Sequence, residues 1–137
     1  MPETTCQVPL RVRYGDTDQM GTFANARALD WFEVGRTEYL RGIGIPYAQM
    51  ERQGVFLPVV EAHIEYLGRA RYDDLLTVTA SAALSGKARL RFDIRIVQAD
   101  GGAAVASGYT VHAFADASGR AARPPEWFTQ ALAGTKE

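Results

Sequence analysis

The first pattern along the chain is an alternation of apolar and polar residues over positions 8–14. A period of two is typical of a half-buried strand, and this one places Val12 and Tyr14 on its core side. Pro9 cannot donate a hydrogen bond within a sheet, so we expect the start of the strand to lie at a sheet edge or outside the ladder.

A helical pattern follows, because apolar residues recur at three- to four-residue spacing from about position 24 to 41. Gly35 lies inside this predicted helix, where glycine costs about 1 kcal/mol relative to alanine. We therefore expect the helix to pack closely against a sheet at Gly35. A short second helix is predicted over 46–53, with Pro46 at its start and Gly54 after its end.

The remainder of the chain is predicted to form four strands and a short C-terminal helix that begins near Pro124. In the first of these strands, Val60 and Ala62 are predicted to share one face, and Val59, Glu61 and His63 the other. The last strand is apolar on nearly both faces, so we expect a central place in the sheet. The predicted strands cover residues 57–66, 75–84, 87–98 and 103–116.

This order of elements predicts the fold class. A helix of about 17 residues is about 26 Å long, and five antiparallel strands can wrap around it and bury its apolar face. The sequence therefore predicts an α+β fold with a five-stranded antiparallel sheet wrapped around one long central helix. All 137 residues are assigned to one domain, 1–137, because a chain of this length can bury a sufficient core.

Composition excludes several classes of function. The net charge of −1 argues against binding nucleic acid through bulk charge, and no apolar run approaches the ~20 residues that cross a membrane. The first seven residues have neither a basic start nor an apolar stretch, so no signal peptide is expected. Cys6 is the single cysteine, which excludes an internal disulfide and a cysteine-based zinc site and favours the reducing cytoplasm.

Polar residues concentrate in the turn 16–18, directly before the long helix. Asp16 and Asp18 suit a turn or a helix cap for backbone reasons alone. The same placement lets a carboxylate face the free N–H groups of the first helical turn, where a carbonyl group can be polarised and attacked. From the residues alone, both interpretations stay open.

Other candidate groups are few. Glu61 and His63 share a strand face that is either solvated or lines a cleft. His112 lies in an apolar strand and is predicted to be a core or interface histidine with a satisfied hydrogen bond. The two histidines lack the spacing of metal ligands, so no metal site is predicted. Lys87 and Arg89, with neighbouring arginines, form either a solvated edge or a phosphate-binding patch.

Two segments resemble a known family. Residues 13–21, RYGDTDQMG, and 25–38, NARALDWFEVGRTE, resemble the opening of the 4-hydroxybenzoyl-CoA thioesterase-like hotdog proteins. The likeness covers about residues 8–130. It implies the hotdog fold and hydrolysis of an acyl-CoA thioester to free CoA and a carboxylic acid, without a metal or other cofactor.

The resemblance also implies roles for particular residues. Asp18 corresponds to the family's catalytic aspartate, either as nucleophile or as general base for water. The backbone N–H of Asn25 corresponds to the group that polarises the thioester carbonyl. Family active sites lie between subunits, which implies a homodimer or a dimer of dimers (homotetramer). The residues expected to contact substrate are Gly21, Thr22, Pro58, Val59, Glu61, His63, Lys87 and Arg89.

The chain departs from this family in its expected substrate pocket. Thr22, Ala24 and Ala28 are small where many relatives carry larger side chains, so no particular acyl group is predicted. Two alternatives remain open, since a fold does not fix a function. One is a non-catalytic protein that binds acyl-CoA or a small ligand. The other is a 2-enoyl-CoA hydratase, although Phe23 stands where that pattern has histidine.

Overall fold

Residues 5–134 fold as one strand, two helices, four further strands and a third helix. The computed structural model describes residues 5–134. The elements are β1 (Cys6–Arg11), α1 (Arg27–Gly42), α2 (Tyr47–Arg52), β2 (Val59–Tyr66), β3 (Leu75–Ser85), β4 (Arg89–Gln98), β5 (Ala104–Ala113) and α3 (Glu126–Gly134).

The five strands form a single antiparallel sheet in the order β1-β3-β4-β5-β2. Both β1 and β2 are edge strands, which confirms the place predicted from Pro9. The side chains of β2 are mostly exposed, whereas β3, β4 and β5 alternate or are buried on both faces. The predicted five-stranded antiparallel sheet is therefore confirmed, and β2 is left with an open edge.

Helix α1 packs against the sheet at Gly35. A Cβ atom at this position would lie 3.0 Å from Val78 Cγ1 and 3.4 Å from both Ala80 Cβ and Ile94 Cδ1. The absence of a side chain therefore lets the helix backbone approach β3 and β4. This confirms the packing that the sequence predicted, and it fixes the height of the helix above the sheet.

The start of the chain differs from the prediction. Strand β1 ends at Arg11, and Tyr14 begins a short 3₁₀ turn in which its side chain is 79% exposed. The prediction that Tyr14 faces the core was wrong because hydrogen bonds between Arg13 and Asp16 turn the chain before the alternation is complete. Helix α1 begins at Arg27, three residues after the predicted start.

A bulge in β2 also changes which side chains share a face. The register with β5 shifts between Val59 and Glu61, so Val59 lies on the helix side of the sheet with Ala62. The prediction that Val59 shares a face with Glu61 and His63 was therefore wrong. Glu61 and His63 share the outer face as predicted. No helix within residues 5–134 is long and apolar enough to cross a membrane.

Candidate active site

The loop before α1 carries two carboxylates in opposite environments. Asp16 is 2% exposed and its oxygens accept hydrogen bonds from Arg13, at 3.0 Å from Nη2 and 2.9 Å from the backbone nitrogen. Burial raises the pKa of the Asp16 carboxyl, but the hydrogen bonds from Arg13 and the charges of Arg13 and Arg27 outweigh it, and the pKa lies below its ordinary value. Asp16 is thus an ionised structural anchor.

Asp18 lies at the surface only two residues later. Its Oδ1 accepts the N–H of Met20 at 2.9 Å, whereas its Oδ2 accepts no hydrogen bond from any residue between 5 and 134. The carboxylate lines a groove of about 630 Å³, whose walls include the edge-to-face pair of Tyr14 and Tyr72. Asp18 therefore lines an accessible groove, and one of its oxygens has no protein donor.

Backbone hydrogen bonds hold the Asp18 loop in a tight turn. The N–H of Asp18 donates to the carbonyl of Thr22 at 2.9 Å, and Gly21 donates to the carbonyl of Asp18 at 3.0 Å. Gly21 has φ of +82°, a conformation that a residue with a Cβ atom rarely adopts. The hydroxyl of Thr22 bonds the backbone of Ala70 at 3.2 and 3.3 Å, so its side chain anchors the loop to the rest of the chain.

The start of α1 presents uncommitted backbone donors. Ala26 precedes the first helical residue and no side chain caps it. Among the described residues, the N–H groups of Asn25 and Ala26 donate to no protein acceptor. The carbonyl of Asn25 accepts a hydrogen bond from the Tyr66 hydroxyl at 2.9 Å. Free N–H groups at a helix start carry partial positive charge and can stabilise an oxyanion.

Tyr66 was not identified from the sequence. It ends β2, and its ring packs 6.1 Å from the ring of Phe23. Together with its bond to Asn25, this contact ties the edge strand to the helix start. No local motif marks Tyr66, because the contact spans 41 positions and depends on sheet topology.

The other predicted substrate contacts on β2 divide between the two faces of the sheet. Val59 lies on the helix face and is 48% exposed, next to Pro58, whose carbonyl accepts the N–H of Ala113 at 3.1 Å. Glu61 and His63 lie on the opposite face, where Tyr109 donates to Glu61 at 2.8 Å and stacks on His63 at 5.5 Å between ring centroids. Within one chain, these two side chains do not meet Asp18.

Lys87 and Arg89 lie in and beside the β3–β4 hairpin, where both are exposed. Strand β3 separates this hairpin from the end of the sheet at which Val12 bonds Asp74 and the Asp18 loop begins. Ten residue steps along β3 amount to about 33 Å. A single chain therefore does not bring these basic residues to Asp18.

A second concave site lies between α1, α2 and the start of β2. It is a cavity of about 200 Å³ lined by Glu33, Arg36, Thr37, Leu40, Tyr47, Leu57, Val59, Phe92 and His112. His112 is 3% exposed, and its ring nitrogens lie 2.8 Å from the carbonyl of Leu57 and 2.9 Å from Thr110 Oγ1. This confirms the predicted core histidine with satisfied hydrogen bonds.

The sequence did not predict this cavity. Arg36 and His112 are 76 positions apart, and only the fold places them on one wall. No group of three or more His, Cys, Asp or Glu side chains in the described part of the chain is arranged to hold a metal ion.

Comparison with known proteins gives the family. A model of the thioesterase-like superfamily matches residues 12–132. YneP of Bacillus subtilis is 42% identical over 69 residues, which is 50% of this chain and 50% of YneP, so that match spans half of the relative. Acyl-CoA thioesterase YbgC of Haemophilus influenzae is 36% identical over 91 residues, which is 66% of this chain and 67% of YbgC.

A solved structure supports the same conclusion. The hypothetical protein TT1821 of Thermus thermophilus superposes with a TM-score of 0.89 and 31% identity, covering 98% of this chain and 99% of TT1821. The family that the motifs predicted is confirmed by the family model, the relatives and this fold. The chain belongs to the thioesterase-like superfamily.

Proposed function

We propose that this protein is an acyl-CoA thioesterase that hydrolyses the thioester to free CoA and a carboxylic acid. The observation that carries the proposal is the placement of Asp18, whose uncommitted oxygen lies in the loop that leads to the free N–H groups of Asn25 and Ala26. The name of the relative YbgC supports acyl-CoA as the substrate class. These groups supply a nucleophile or base together with an oxyanion site.

In the proposed reaction, the N–H of Asn25 donates a hydrogen bond to the thioester carbonyl oxygen. Asp18 then acts in one of two ways. As general base, it takes a proton from water, whose oxygen attacks the carbonyl carbon. As nucleophile, it forms a mixed anhydride that water hydrolyses. Both routes break the carbon–sulfur bond, protonate the CoA thiolate and release the acid, while the helix start holds the developing negative charge.

We also propose that the complete site requires two chains. The basic hairpin at Lys87 and Arg89 lies about 33 Å along β3 from the end of the sheet near Asp18, so contact with the same CoA requires a second subunit. The open edge of β2 offers unpaired backbone groups for an antiparallel partner. A homodimer, or a dimer of such dimers, is therefore the assembly that we expect.

Pairing of two β2 strands about their midpoint has a further consequence. Since β2 covers Val59–Tyr66, a two-fold axis at His63, next to its centre, pairs Ala62 of one subunit with Ile64 of the other. Because of the bulge between Val59 and Glu61, this register brings Val59 near Tyr66 of the other subunit. Tyr66 holds Asn25, so Pro58 and Val59 come to the oxyanion site of the neighbouring subunit. This arrangement supports the predicted role of Pro58 and Val59 in the acyl pocket, and gives no comparable support for Glu61 and His63.

A cytoplasmic location is also proposed, because the single cysteine, Cys6, is a free thiol in this fold. The thiol affects the design of an assay, since a thiol-reactive dye would label Cys6 as well as free CoA. Product CoA is therefore best measured by chromatography.

The test is CoA release from a panel of aromatic and short- to long-chain acyl-CoAs by the wild type and Asp18→Asn. We expect turnover by the wild type and a loss of about 10²–10⁴ in rate for Asp18→Asn. Asparagine can still accept the N–H of Met20, so the fold should persist. Asp100→Asn, in the exposed β4–β5 turn, is the matched control and should keep full activity.

Equal rates for wild type and Asp18→Asn would remove Asp18 from the mechanism. Binding of acyl-CoA without CoA release would favour a non-catalytic binding protein.

A further inference from the structure

The cavity between α1 and β2 contains an arginine that the protein does not pair. Arg36 is partly buried on α1, yet within residues 5–134 its guanidinium makes no hydrogen bond and no ion pair. Burial lowers the pKa of the Arg36 guanidinium, and the nearby charge of Glu33 only partly opposes that effect. Burial of this unpaired cation costs free energy, and a bound anion can offset that cost.

The polar groups around Arg36 do not pair with it. Glu33 also lines the cavity, but it is exposed and its carboxylate makes no ion pair with the Arg36 guanidinium. Both nitrogens of His112 are engaged, and burial lowers the pKa of its ring to about 4, so the ring is neutral at pH 7. The hydroxyl of Tyr47 accepts the N–H of Leu57 at 3.1 Å. The hydroxyl of Thr37, one position after Arg36, makes no hydrogen bond within the described residues. Two neighbouring groups on α1 thus retain donors that face one cavity.

Apart from the carboxylate of Glu33, the rest of the wall is apolar and comes from Leu40, Leu57, Val59 and Phe92. A volume of about 200 Å³ accommodates about seven non-hydrogen atoms at ~30 Å³ each. An apolar wall with donors at one point is suited to a short carbon chain or ring that ends in an oxygen acceptor. A carboxylate matches the planar fork of an arginine best, because it accepts two parallel hydrogen bonds.

We propose that this cavity binds the far end of the acyl group and that Arg36 selects acyl chains that end in a carboxylate. The proposal rests on the proposed thioesterase function and names its substrate class as monothioesters of dicarboxylic acids. In the β2-paired dimer, Val59 at the cavity mouth lies beside Asn25 of the partner subunit. An acyl group whose thioester carbonyl is held there can therefore extend into the cavity.

Two substrates matched in shape test the role of Arg36. Adipoyl-CoA has seven non-hydrogen atoms beyond the thioester carbonyl carbon, and 6-methylheptanoyl-CoA replaces its terminal carboxylate with an isopropyl group of similar shape. The quantity to compare is the ratio of kcat/KM for the two substrates. We expect the wild type to favour adipoyl-CoA at least tenfold, and Arg36→Met to lower this ratio by about 10- to 100-fold. Arg36→Lys keeps the charge but not the fork, so its ratio should fall in between.

A control lies on the same helix. Arg41 is exposed and paired with Glu38, outside the cavity, so Arg41→Met should leave the substrate ratio unchanged. An unchanged ratio in Arg36→Met, with turnover retained, would overturn the proposal. Thermal melting shows whether Arg36→Met is folded. If it is not, Arg36→Lys is the test variant, and an unchanged substrate ratio in Arg36→Lys overturns the proposal.

A binding measurement separates this inference from the proposed function. Calorimetric titration of adipoyl-CoA and its isostere into Asp18→Asn, and into Asp18→Asn with Arg36→Met, measures the preference without turnover. If the wild type hydrolyses no acyl-CoA but the binding preference depends on Arg36, the cavity is as proposed and the enzyme is not. If hydrolysis depends on Asp18 but neither binding nor rate depends on Arg36, the protein is a thioesterase as proposed and Arg36 does not select the acyl group.

Discussion

Arg13 binds the buried carboxylate of Asp16 through its side chain and its backbone N–H at the same time. Arg27, the first residue of α1, brings a second guanidinium to within 3.8 Å of the same carboxylate. The carbonyl of Asp16 also accepts the N–H of Ala24 at 2.8 Å. Asp16 therefore joins the end of the first strand to the start of the helix, and this junction sets where Asp18 is presented.

Asp16→Asn should lower the free energy of unfolding by about 1–3 kcal/mol, because an amide nitrogen then faces guanidinium donors in a buried position. Asp18→Asn, two positions away but exposed, should change it by less than about 0.5 kcal/mol. Urea unfolding at pH 7 measures both values.

The pH dependence gives a separate check on Asp16. Its pKa in the folded state lies below the ordinary value, so its contribution to stability is fully present above about pH 3.9 and is lost as the pH falls through the folded pKa. The difference between wild type and Asp16→Asn should therefore shrink in strong acid. A difference of equal size at pH 3 and pH 7 would contradict an ionised Asp16.

Gly35→Ala tests the packing of α1 on the sheet. Alanine gains up to about 1 kcal/mol of helix propensity, but its Cβ would lie 3.0 Å from Val78 Cγ1 in a closely packed interior. Overpacking of this kind costs about 1–3 kcal/mol, so we expect a net loss of about 1 kcal/mol in urea unfolding. Gly42→Ala, which meets no atom within 4 Å, is the control and should not destabilise.

A double-mutant cycle identifies the atoms responsible. Val78→Ala removes the Cγ1 atom that the new methyl group meets, so the double variant should be less destabilised than the sum of the single changes. Strict additivity would mean that the helix shifts as a whole and that Val78 does not limit its approach.

The sequence predicted the fold well wherever one periodicity extends along a whole element. Gly35 is an example, because a glycine in an otherwise helical pattern requires a packing reason and the sheet supplies it. The end of β1 was harder to predict, since the bond from Arg13 to Asp16 stops the strand without interrupting the alternation. The bulge at Val59 was also not visible, because it depends on the register with β5.

The candidate site also has one part that the sequence predicts and one part that only the fold brings together. Asp18 and Asn25 lie within eight positions of each other, so a motif could identify them together. Arg36 lies in the segment 25–38 that resembles the family. Its proposed role depends on the cavity that it shares with Val59 and His112, which lie on β2 and β5. Contacts between distant positions follow from strand order, and a single sequence does not reveal strand order by periodicity.

His112 should make stability depend on pH in a different range from Asp16. The carbonyl of Leu57 can only accept, so Nδ1 carries the hydrogen and Nε2 accepts from Thr110. Burial, and to a smaller extent the charge of Arg36, lowers the pKa of His112 to about 4, against an unfolded value of about 6.5. Between these values the unfolded state binds more protons, so the free energy of unfolding falls as the pH drops from 6.5 towards 4.

The expected size of this effect is about 3 kcal/mol when the window has been crossed completely. His112→Gln removes the titrating group, so it should be less stable at pH 7 but show a flatter dependence between pH 6.5 and 4.5. Urea unfolding of both proteins at several pH values measures the slopes. Parallel slopes would mean that other groups dominate this range.

The open edge of β2 makes a test of the dimer possible with one substitution. Leu67 donates to the carbonyl of Val105, which fixes the alternation of hydrogen bonds between β2 and β5. By that alternation, Glu61 and His63 direct their backbone groups to β5, whereas Ala62 and Ile64 direct theirs to the free edge. Ala62→Pro therefore removes an outward N–H and leaves the bonds to β5 intact.

We expect the wild type to be a dimer or a dimer of dimers, and Ala62→Pro to be a folded monomer in sedimentation and light-scattering measurements. Ala62→Thr keeps the N–H group and should assemble as the wild type does. Because a lone chain holds Lys87 about 33 Å along β3 from the end near Asp18, the monomer should also lose most of its acyl-CoA hydrolysis. A dimeric and active Ala62→Pro would place the subunit interface elsewhere, whereas an active monomer would show that one chain contains the whole site.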